Sequence, residues 1–229
     1  MPDRFERSIL LYGEAAVRRF SQCRVAVIGI GGVGSYTAEA LARSGFGYLR
    51  LVDNDTVELS NCNRQLWALE STVGKYKVTV AAERLKDVNP SLTVDAHPER
   101  FCSDTADELL GGSLGFVVDA IDSVPDKIEL IRRCIVSGIP VVSCMGAARR
   151  KDPTLVRFGD LFEPTGCPLA RKMRRELRRQ GIQGPVPIVY SEEPAAPIEP
   201  GSALPSCCAV PAAVGMAAAA YVCNKVFSG

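Results

Sequence analysis

"VIGIGGVGSYTAEALARSG", residues 27–45, joins a β-branched apolar run to a cluster of glycines and then to a helical pattern. The run "RVAVIGI", residues 24–30, is apolar without interruption after its first residue, which predicts a strand buried on both faces. Gly29, Gly31 and Gly34 follow as G-x-G-x-x-G, and the helix that starts there closes at Gly45, a residue suited to a left-handed cap. Strand, glycine turn and helix in that order make the first unit of a nucleotide-binding sheet. The glycines allow a sharp turn, a close approach by phosphate or ribose and packing of the helix on the strand, and the helix N-terminus offers free amides to an anion. By itself the pattern suits a nicotinamide cofactor, a flavin or ATP equally well.

The same rhythm continues outward. "YLRLVDND" (48–55), "LTVDAHPERF" (92–101), "GFVVDAID" (115–122) and "PVVSCMG" (140–146) read as further strands. Between them stand the helical runs "KVTVAAERLKDVNP" and "PDKIELIRRCIVSG". This alternation predicts an α/β fold: a Rossmann-like, mostly parallel sheet with helices on both faces. After Gly146 the rhythm breaks. "ARRKDPTLVRFGDL" predicts a turn and a short strand, "PLARKMRRELRRQG" a helix, and the proline-punctuated "PVPIVYSEEPAAPIEPG" an extended segment, together an antiparallel extension in the C-terminal third. No linker divides the chain, so residues 1–229 are expected to form a single domain, with a nucleotide-binding core over 1–150 and a substrate-side extension with a C-terminal helix over 151–229.

Composition narrows the class. The chain has 229 residues, 47% hydrophobic and 23% charged, enough apolar content for a sizeable core. Early charges in "MPDRFERSILLYG" argue against a secretory leader. The most apolar stretch, Ala209 to Cys223, is alanine-rich and falls short of a bilayer span, so a buried helix, a cytoplasmic chain and no membrane partner are expected. Nine cysteines, with no C-x-x-C pair, and one histidine, His97, predict free thiols and no zinc. Cys144, Cys207 and Cys208 are read as structural thiols, not nucleophiles.

Asp53, 19 residues beyond Gly34 at the end of the second strand, is placed to accept hydrogen bonds from ribose hydroxyls. Downstream, "DNDTVELSNCNRQLWALESTVGKYK" carries Arg64, Lys75 and Lys77. That density of cations fits a triphosphate and a departing pyrophosphate better than a dinucleotide. Asp119 and Asp122, at the end of the fourth strand, point toward the same crevice, and Asp122 is suited to hold Mg²⁺ between phosphates. A second cluster lies between Arg149 and Arg179, where ten basic residues face four acidic ones. Within it Arg171, Lys172, Arg174, Arg175, Arg178 and Arg179 crowd one helix whose apolar anchors are Met173 and Leu177. Such a face attracts a nucleic-acid backbone.

Five motifs in order, "RFERSILLYG", "VIGIGGVGS", "LVDNDTVELSNCNRQ", "VGKYK" and "VVDAIDS", resemble the ubiquitin-activating-type superfamily, which adenylates carboxylates with ATP. "ALARSG", "NRQ", "DAIDSV" and "KDPT" are most similar to its branch of tRNA threonylcarbamoyladenosine dehydratases. The resemblance implies that Gly29, Gly31, Gly32 and Gly34 line the nucleotide and that Asp53, with Asp55 beside it, serves the ribose side. It assigns Asn61, Arg64 and Lys77 to the phosphates, with Lys77 aligning better than Lys75, and Asp122 to Mg²⁺. It also implies a homodimer in which Arg7 reaches the partner's ATP. The expected cofactors are ATP and Mg²⁺, and the expected partner is tRNA. A sulfur-relay or carrier protein is a further partner in this reading. The alternatives are adenylation of the C-terminal glycine of a small sulfur-carrier protein, an NAD-dependent dehydrogenase, and a nucleotide-sensing scaffold without turnover.

Overall fold

A computed structural model describes residues 4–163, 166–199 and 201–228. The chain opens with two short helices, α1 (Glu6–Tyr12) and α2 (Glu14–Gln22). The alternating part follows: β1 (Arg24–Ile28), α3 (Gly34–Ser44), β2 (Tyr48–Val52), α4 (Lys77–Val88), β3 (Thr93–His97), α5 (Ala106–Leu109), β4 (Phe116–Asp119), α6 (Val124–Val136) and β5 (Val141–Cys144). The last third adds β6 (Val156–Asp160), α7 (Pro168–Arg179), β7 (Pro187–Ser191) and α8 (Ala209–Ser228). One seven-stranded sheet results, in the order β3-β2-β1-β4-β5-β7-β6. Every pairing is parallel except that of β6 with β7, so the predicted parallel sheet with an antiparallel extension is what forms.

The period of two along β1 sorts the core into layers. Val25 and Val27 pack with Phe20 of α2, Leu41 of α3, Leu85 of α4 and Val214 of α8. Ala26 and Ile28 face the other way, toward Leu109 of α5 and Leu130 of α6. Because both faces are covered, β1 and β4 need apolar residues at nearly every position. A third cluster joins Ile131 of α6, Met173 and Leu177 of α7 and Ile188 of β7, which fastens the C-terminal third to the sheet.

The C-terminal helix differs from expectation in length. It runs 20 residues to Ser228, five beyond Cys223, and by length and composition alone is apolar enough to cross a membrane. Here it is a core helix. Val210, Val214, Ala218 and Val222 are buried, and Gly215 lets it approach α3 so closely that a Cβ there would stand 2.4 Å from the Val33 carbonyl oxygen.

The strand order reverses direction between β1 and β4. Crossovers leave β1 toward β2 on one side, and return at β4 on the other, opening a crevice at the carboxyl ends of the strands.

Candidate active site

A cleft of about 680 Å³ occupies that crevice. Its floor is the glycine turn after β1. Gly29 has φ +83°, and a Cβ on it would meet the Ala120 carbonyl oxygen at 2.7 Å; a Cβ on Gly34 would meet the Gly29 carbonyl oxygen at 1.9 Å. These two positions therefore tolerate no side chain. Gly29, Gly31 and Gly32 line the cleft, whereas Gly34 is packed beneath the turn and does not. Of the two roles expected of Gly34, the structure shows the packing of helix on strand, and the nucleotide-lining place implied by the resemblance is corrected. Trp67, fully buried, braces the turn by donating its indole N–H to the Ile30 carbonyl at 2.8 Å.

Asp53 follows β2 directly. One carboxylate oxygen accepts the Ile30 N–H at 2.8 Å and the other the Asp55 N–H at 2.9 Å, so its orientation is set by the glycine turn it serves. Burial pushes its carboxyl above the ordinary value, against the pull of Lys77 and these two amides. Lys77 opens α4, is buried and lines the cleft. Its ammonium lies 2.7 Å from Asp55 and 3.9 Å from Asp53. Lys75 is exposed and outside the lining, so the geometry selects Lys77 of the two.

Asn61 and Arg64 also line the cleft, the Arg64 side chain beside Gly32. Asn61 is buried, with its carbonyl oxygen accepting the Glu58 N–H at 3.2 Å. Arg64 uses one guanidinium nitrogen on the Ser60 carbonyl at 2.9 Å and Asn63 at 2.8 Å. Arg7 sits on the exposed face of α1 and does not line the cleft of its own chain.

The two aspartates of "DAID" separate. β4 ends at Asp119, three residues earlier than the sequence suggested, and Asp122 stands in the loop before α6. Asp122 is exposed, lines the cleft and makes no hydrogen bond among the described residues. A carboxylate without a hydrogen-bond partner on the cleft surface is the kind of hard oxygen donor that Mg²⁺ takes. Asp119, expected to point at the nucleotide, is instead fully buried below the floor, paired with Lys127 at 2.8 Å.

Other lining residues escaped the sequence reading. Gln65 is buried beside Gly31, and its side-chain carbonyl oxygen has no partner among the described residues. It sits in the "NRQ" run, where Arg64 drew attention and Gln65 did not. Arg100 and Asp126 pair across the rim at 2.7 Å. The C-terminal half of the chain completes the cleft with Met145, Gly146, Ala147, Ala148, Leu169, Leu204, Ser206 and Pro211, the last of these beside Gly32. Segments far apart in sequence supply it. The Arg149 N–H donates to the Pro205 carbonyl at 2.8 Å, the Arg150 guanidinium to the Glu193 carbonyl at 3.0 Å, and the amides of Lys151 and Asp152 to the Glu193 carboxylate at 2.8 Å. Cys207 and Cys208 belong to this strap, Cys207 donating to the Arg150 carbonyl and Cys208 lying 2.8 Å from the Tyr36 hydroxyl. Cys144 is buried, and burial pushes its thiol up to about 12.

Helix α7 starts at the cleft, where Leu169 forms part of the wall, and runs away from it with Ala170, Met173 and Leu177 buried. Arg171, Lys172 and Arg175 are exposed, and their side chains make no hydrogen bond or ion pair among the described residues. Arg178 lies over the Phe162 ring at 5.7 Å, and Arg179 pairs with Glu176 at 3.3 Å. Arg174 departs from expectation: its guanidinium donates to the Leu161 carbonyl at 2.6 Å and to the Glu163 carbonyl, which makes it a tie between α7 and the preceding turn.

The ThiF family model matches residues 5–222. The tRNA threonylcarbamoyladenosine dehydratase of Bacillus subtilis is 40% identical over 193 residues, covering 84% of this chain and 76% of that protein. Its Escherichia coli counterpart is 41% identical over 175 residues, 76% of this chain and 65% of its own length. A crystal structure of the E. coli enzyme in complex with ATP superposes with a TM-score of 0.91 at 37% identity, covering 98% of this chain and 94% of that one. The chain belongs to the ThiF family.

Proposed function

We propose that this protein uses ATP to activate the carboxylate of threonylcarbamoyladenosine in tRNA as an acyl-adenylate, which then cyclises with net loss of water. The observation that carries the reading is the convergence of Asp53, Asn61, Arg64, Lys77 and Asp122 on one cleft at the switch point of the sheet. The high identity to dehydratases of the same family supports it.

A carboxylate is a poor electrophile because its charge repels nucleophiles and oxide is a bad leaving group. Attack by its oxygen on the α-phosphorus breaks the bond to the β-phosphate bridge and releases pyrophosphate. The carbamoyl group of the same side chain then attacks the acyl carbon. The bond to AMP breaks, AMP departs with the former carboxylate oxygen, and the carbamoyl proton passes to solvent. A nucleophile tethered beside its target gains an effective concentration on the order of 10⁵ M or more, so no protein nucleophile is needed.

The chain's own task is placement and charge neutralisation. Gly31, Gly32 and the N-terminus of α3 face the phosphates; Asp53 receives the ribose hydroxyls. Asn61, Arg64 and Lys77 receive the triphosphate, and Asp55 aims Lys77 toward it. The cleft is lined by six carboxylates, Asp53, Asp55, Glu58, Glu99, Asp122 and Asp126, against three cations, Arg64, Lys77 and Arg100. Binding of a nucleoside triphosphate in so negative a site is strengthened by a divalent ion, and Asp122 is the residue that would hold Mg²⁺. Bound there, the ion would neutralise phosphate charge.

Arg171, Lys172 and Arg175, with Arg178 and Arg179 behind them, form the track for the tRNA backbone, leading along α7 to the cleft wall at Leu169. Arg7, exposed on α1 beside the exposed Leu10 and Leu11, serves the cleft of a second copy in a homodimer. The nine free thiols suit a reducing cytoplasm.

Isotope exchange between pyrophosphate and ATP tests the acceptor. Stimulation by tRNA carrying threonylcarbamoyladenosine is the expected result. Stimulation by a small carrier protein ending in glycine, and not by tRNA, would replace this reading with carrier adenylation.

A further inference from the structure

Beneath the cleft floor lie three polar side chains that do not themselves line the cleft: Asp119 at the end of β4, Lys127 in the first turn of α6 and Ser143 in β5, all 0% exposed. The Lys127 ammonium donates to one Asp119 oxygen at 2.8 Å and the Ser143 hydroxyl donates to the same oxygen at 2.5 Å. The second Asp119 oxygen accepts the backbone N–H of Ile121 at 3.2 Å. A buried ion pair is an inefficient adhesive. Desolvation of the two charges offsets most of their attraction, and apolar side chains of similar volume often hold a helix to a sheet as well or better.

What the pair supplies that apolar packing lacks is direction, and the segment it directs is the one that carries Asp122. Only Ala120 to Ser123 separate Asp119 from α6. At one end of this loop the Ala120 N–H donates to the Ile28 carbonyl at 2.9 Å, and the Asp119 carboxylate holds the Ile121 amide. At the other end the Lys127 N–H donates to the Ser123 carbonyl at 2.9 Å, while the Lys127 side chain ties the same turn of α6 back to Asp119. The loop is also wedged against the glycine turn, with the Ala120 carbonyl oxygen filling the space where a Cβ on Gly29 would stand.

We infer that Asp119, Lys127 and Ser143 form a positioning unit that fixes the Ala120–Ser123 loop so that Asp122 meets the divalent ion and phosphates of the bound nucleotide. The inference rests on the Mg²⁺–ATP reading of the cleft. None of the three is a catalytic residue; each acts through the loop.

Calorimetric titration of ATP into the full chain, across a Mg²⁺ series and in chelator, separates this role from plain stability. A Lys127→Met/Asp119→Val variant, with the charges removed as a pair, is expected to melt cooperatively and bind ATP in chelator as the parent does. The Mg²⁺ concentration that half-maximally tightens ATP is expected to rise about ten- to a hundred-fold, the usual effect of losing a residue that orients a metal ligand. Ser143→Ala, which removes one hydrogen bond, is expected to raise it roughly five-fold. A folded double variant with the parent's Mg²⁺ dependence would overturn the inference. If the double variant does not fold, unchanged Mg²⁺ dependence in Ser143→Ala would overturn it equally. A parent protein whose ATP affinity ignores Mg²⁺ would overturn both the reading of the cleft and the role of the triad, whereas a Mg²⁺-sensitive parent with unmoved variants would overturn the triad's role alone.

Discussion

The two walls of the cleft are built on different principles. The nucleotide wall, from Gly29 to Lys77, is set by backbone: a carbonyl fills the space that a side chain on Gly29 would need, another does so at Gly34, and Asp53 is oriented by two amides. The second wall, from Met145 to Pro211, is set by long-range ties, with Arg149, Arg150 and Glu193 fastening a strap that brings Leu204 and Ser206 to the cleft. Backbone-defined geometry leaves short motifs in a sequence, because glycine and aspartate are required at fixed spacings. Geometry defined by hydrogen bonds between distant segments, such as Arg150 to Glu193 and Arg149 to Pro205, leaves none. A cleft with one stiff wall and one fastened wall should respond to substitution in two distinct ways.

The largest effect is expected at the stiff wall. Gly34→Ala drives a Cβ into the Gly29 carbonyl and should cost about 3 kcal/mol, lowering Tm by about 6–12 °C and abolishing ATP binding. Gly31→Ala meets only the Gln65 side chain, at 3.7 Å, and should leave Tm near the parent while weakening ATP. Equal Tm losses in the two variants would break the distinction. Lys77→Met should lower adenylate formation about 10²- to 10³-fold, in the range seen when one charge-stabilising donor is removed. Single-turnover measurements of AMP formation check it, and a loss confined to stability would contradict the role.

The basic helix α7 separates binding from structure. Replacing Arg171, Lys172 and Arg175 together by Ala should weaken tRNA binding, with ATP affinity unchanged. The salt dependence should flatten by roughly one in slope for each phosphate no longer neutralised. Arg174→Ala should instead lower Tm, because its guanidinium holds the Leu161 and Glu163 carbonyls. If Arg174→Ala weakened tRNA without moving Tm, α7 would have to be read differently. The smallest effect is expected at Cys144, whose buried thiol at about 12 is protonated near neutral pH. Cys144→Ser should change adenylate formation by less than about three-fold, against losses on the order of 10⁴-fold or more when an essential nucleophile is removed.

The difference between the walls also explains what the sequence disclosed. The sheet and its antiparallel extension were legible because apolar period fixes them locally, and Asp53 and the cation Arg64 because motif spacing and charge mark them; Asn61 and the preference for Lys77 over Lys75 came from the family resemblance, and both residues line the cleft. Asp119 and Asp122 look alike in "DAID"; only the point at which β4 stops, three residues short, sends one under the floor and leaves the other in the cleft. Arg174 looks like its five basic neighbours until Leu161 and Glu163 fold back against it. Gly34 reads as part of a ligand loop, yet its missing side chain admits the Gly29 carbonyl. Gln65 carries no charge to mark it, although burial leaves its carbonyl oxygen without a partner among the described residues. Leu204, Ser206 and Pro211 reach the cleft by way of a strap whose anchors only the folded chain brings together.

The central claim is that one cleft couples ATP cleavage to ring closure on a modified nucleoside. Incubation with ATP, Mg²⁺ and tRNA bearing threonylcarbamoyladenosine, with AMP counted against the mass of the released nucleoside, tests it most directly. One AMP for each nucleoside lighter by one water is the predicted result. AMP formed over a nucleoside of unchanged mass, or no AMP at all while tRNA is bound, would contradict it.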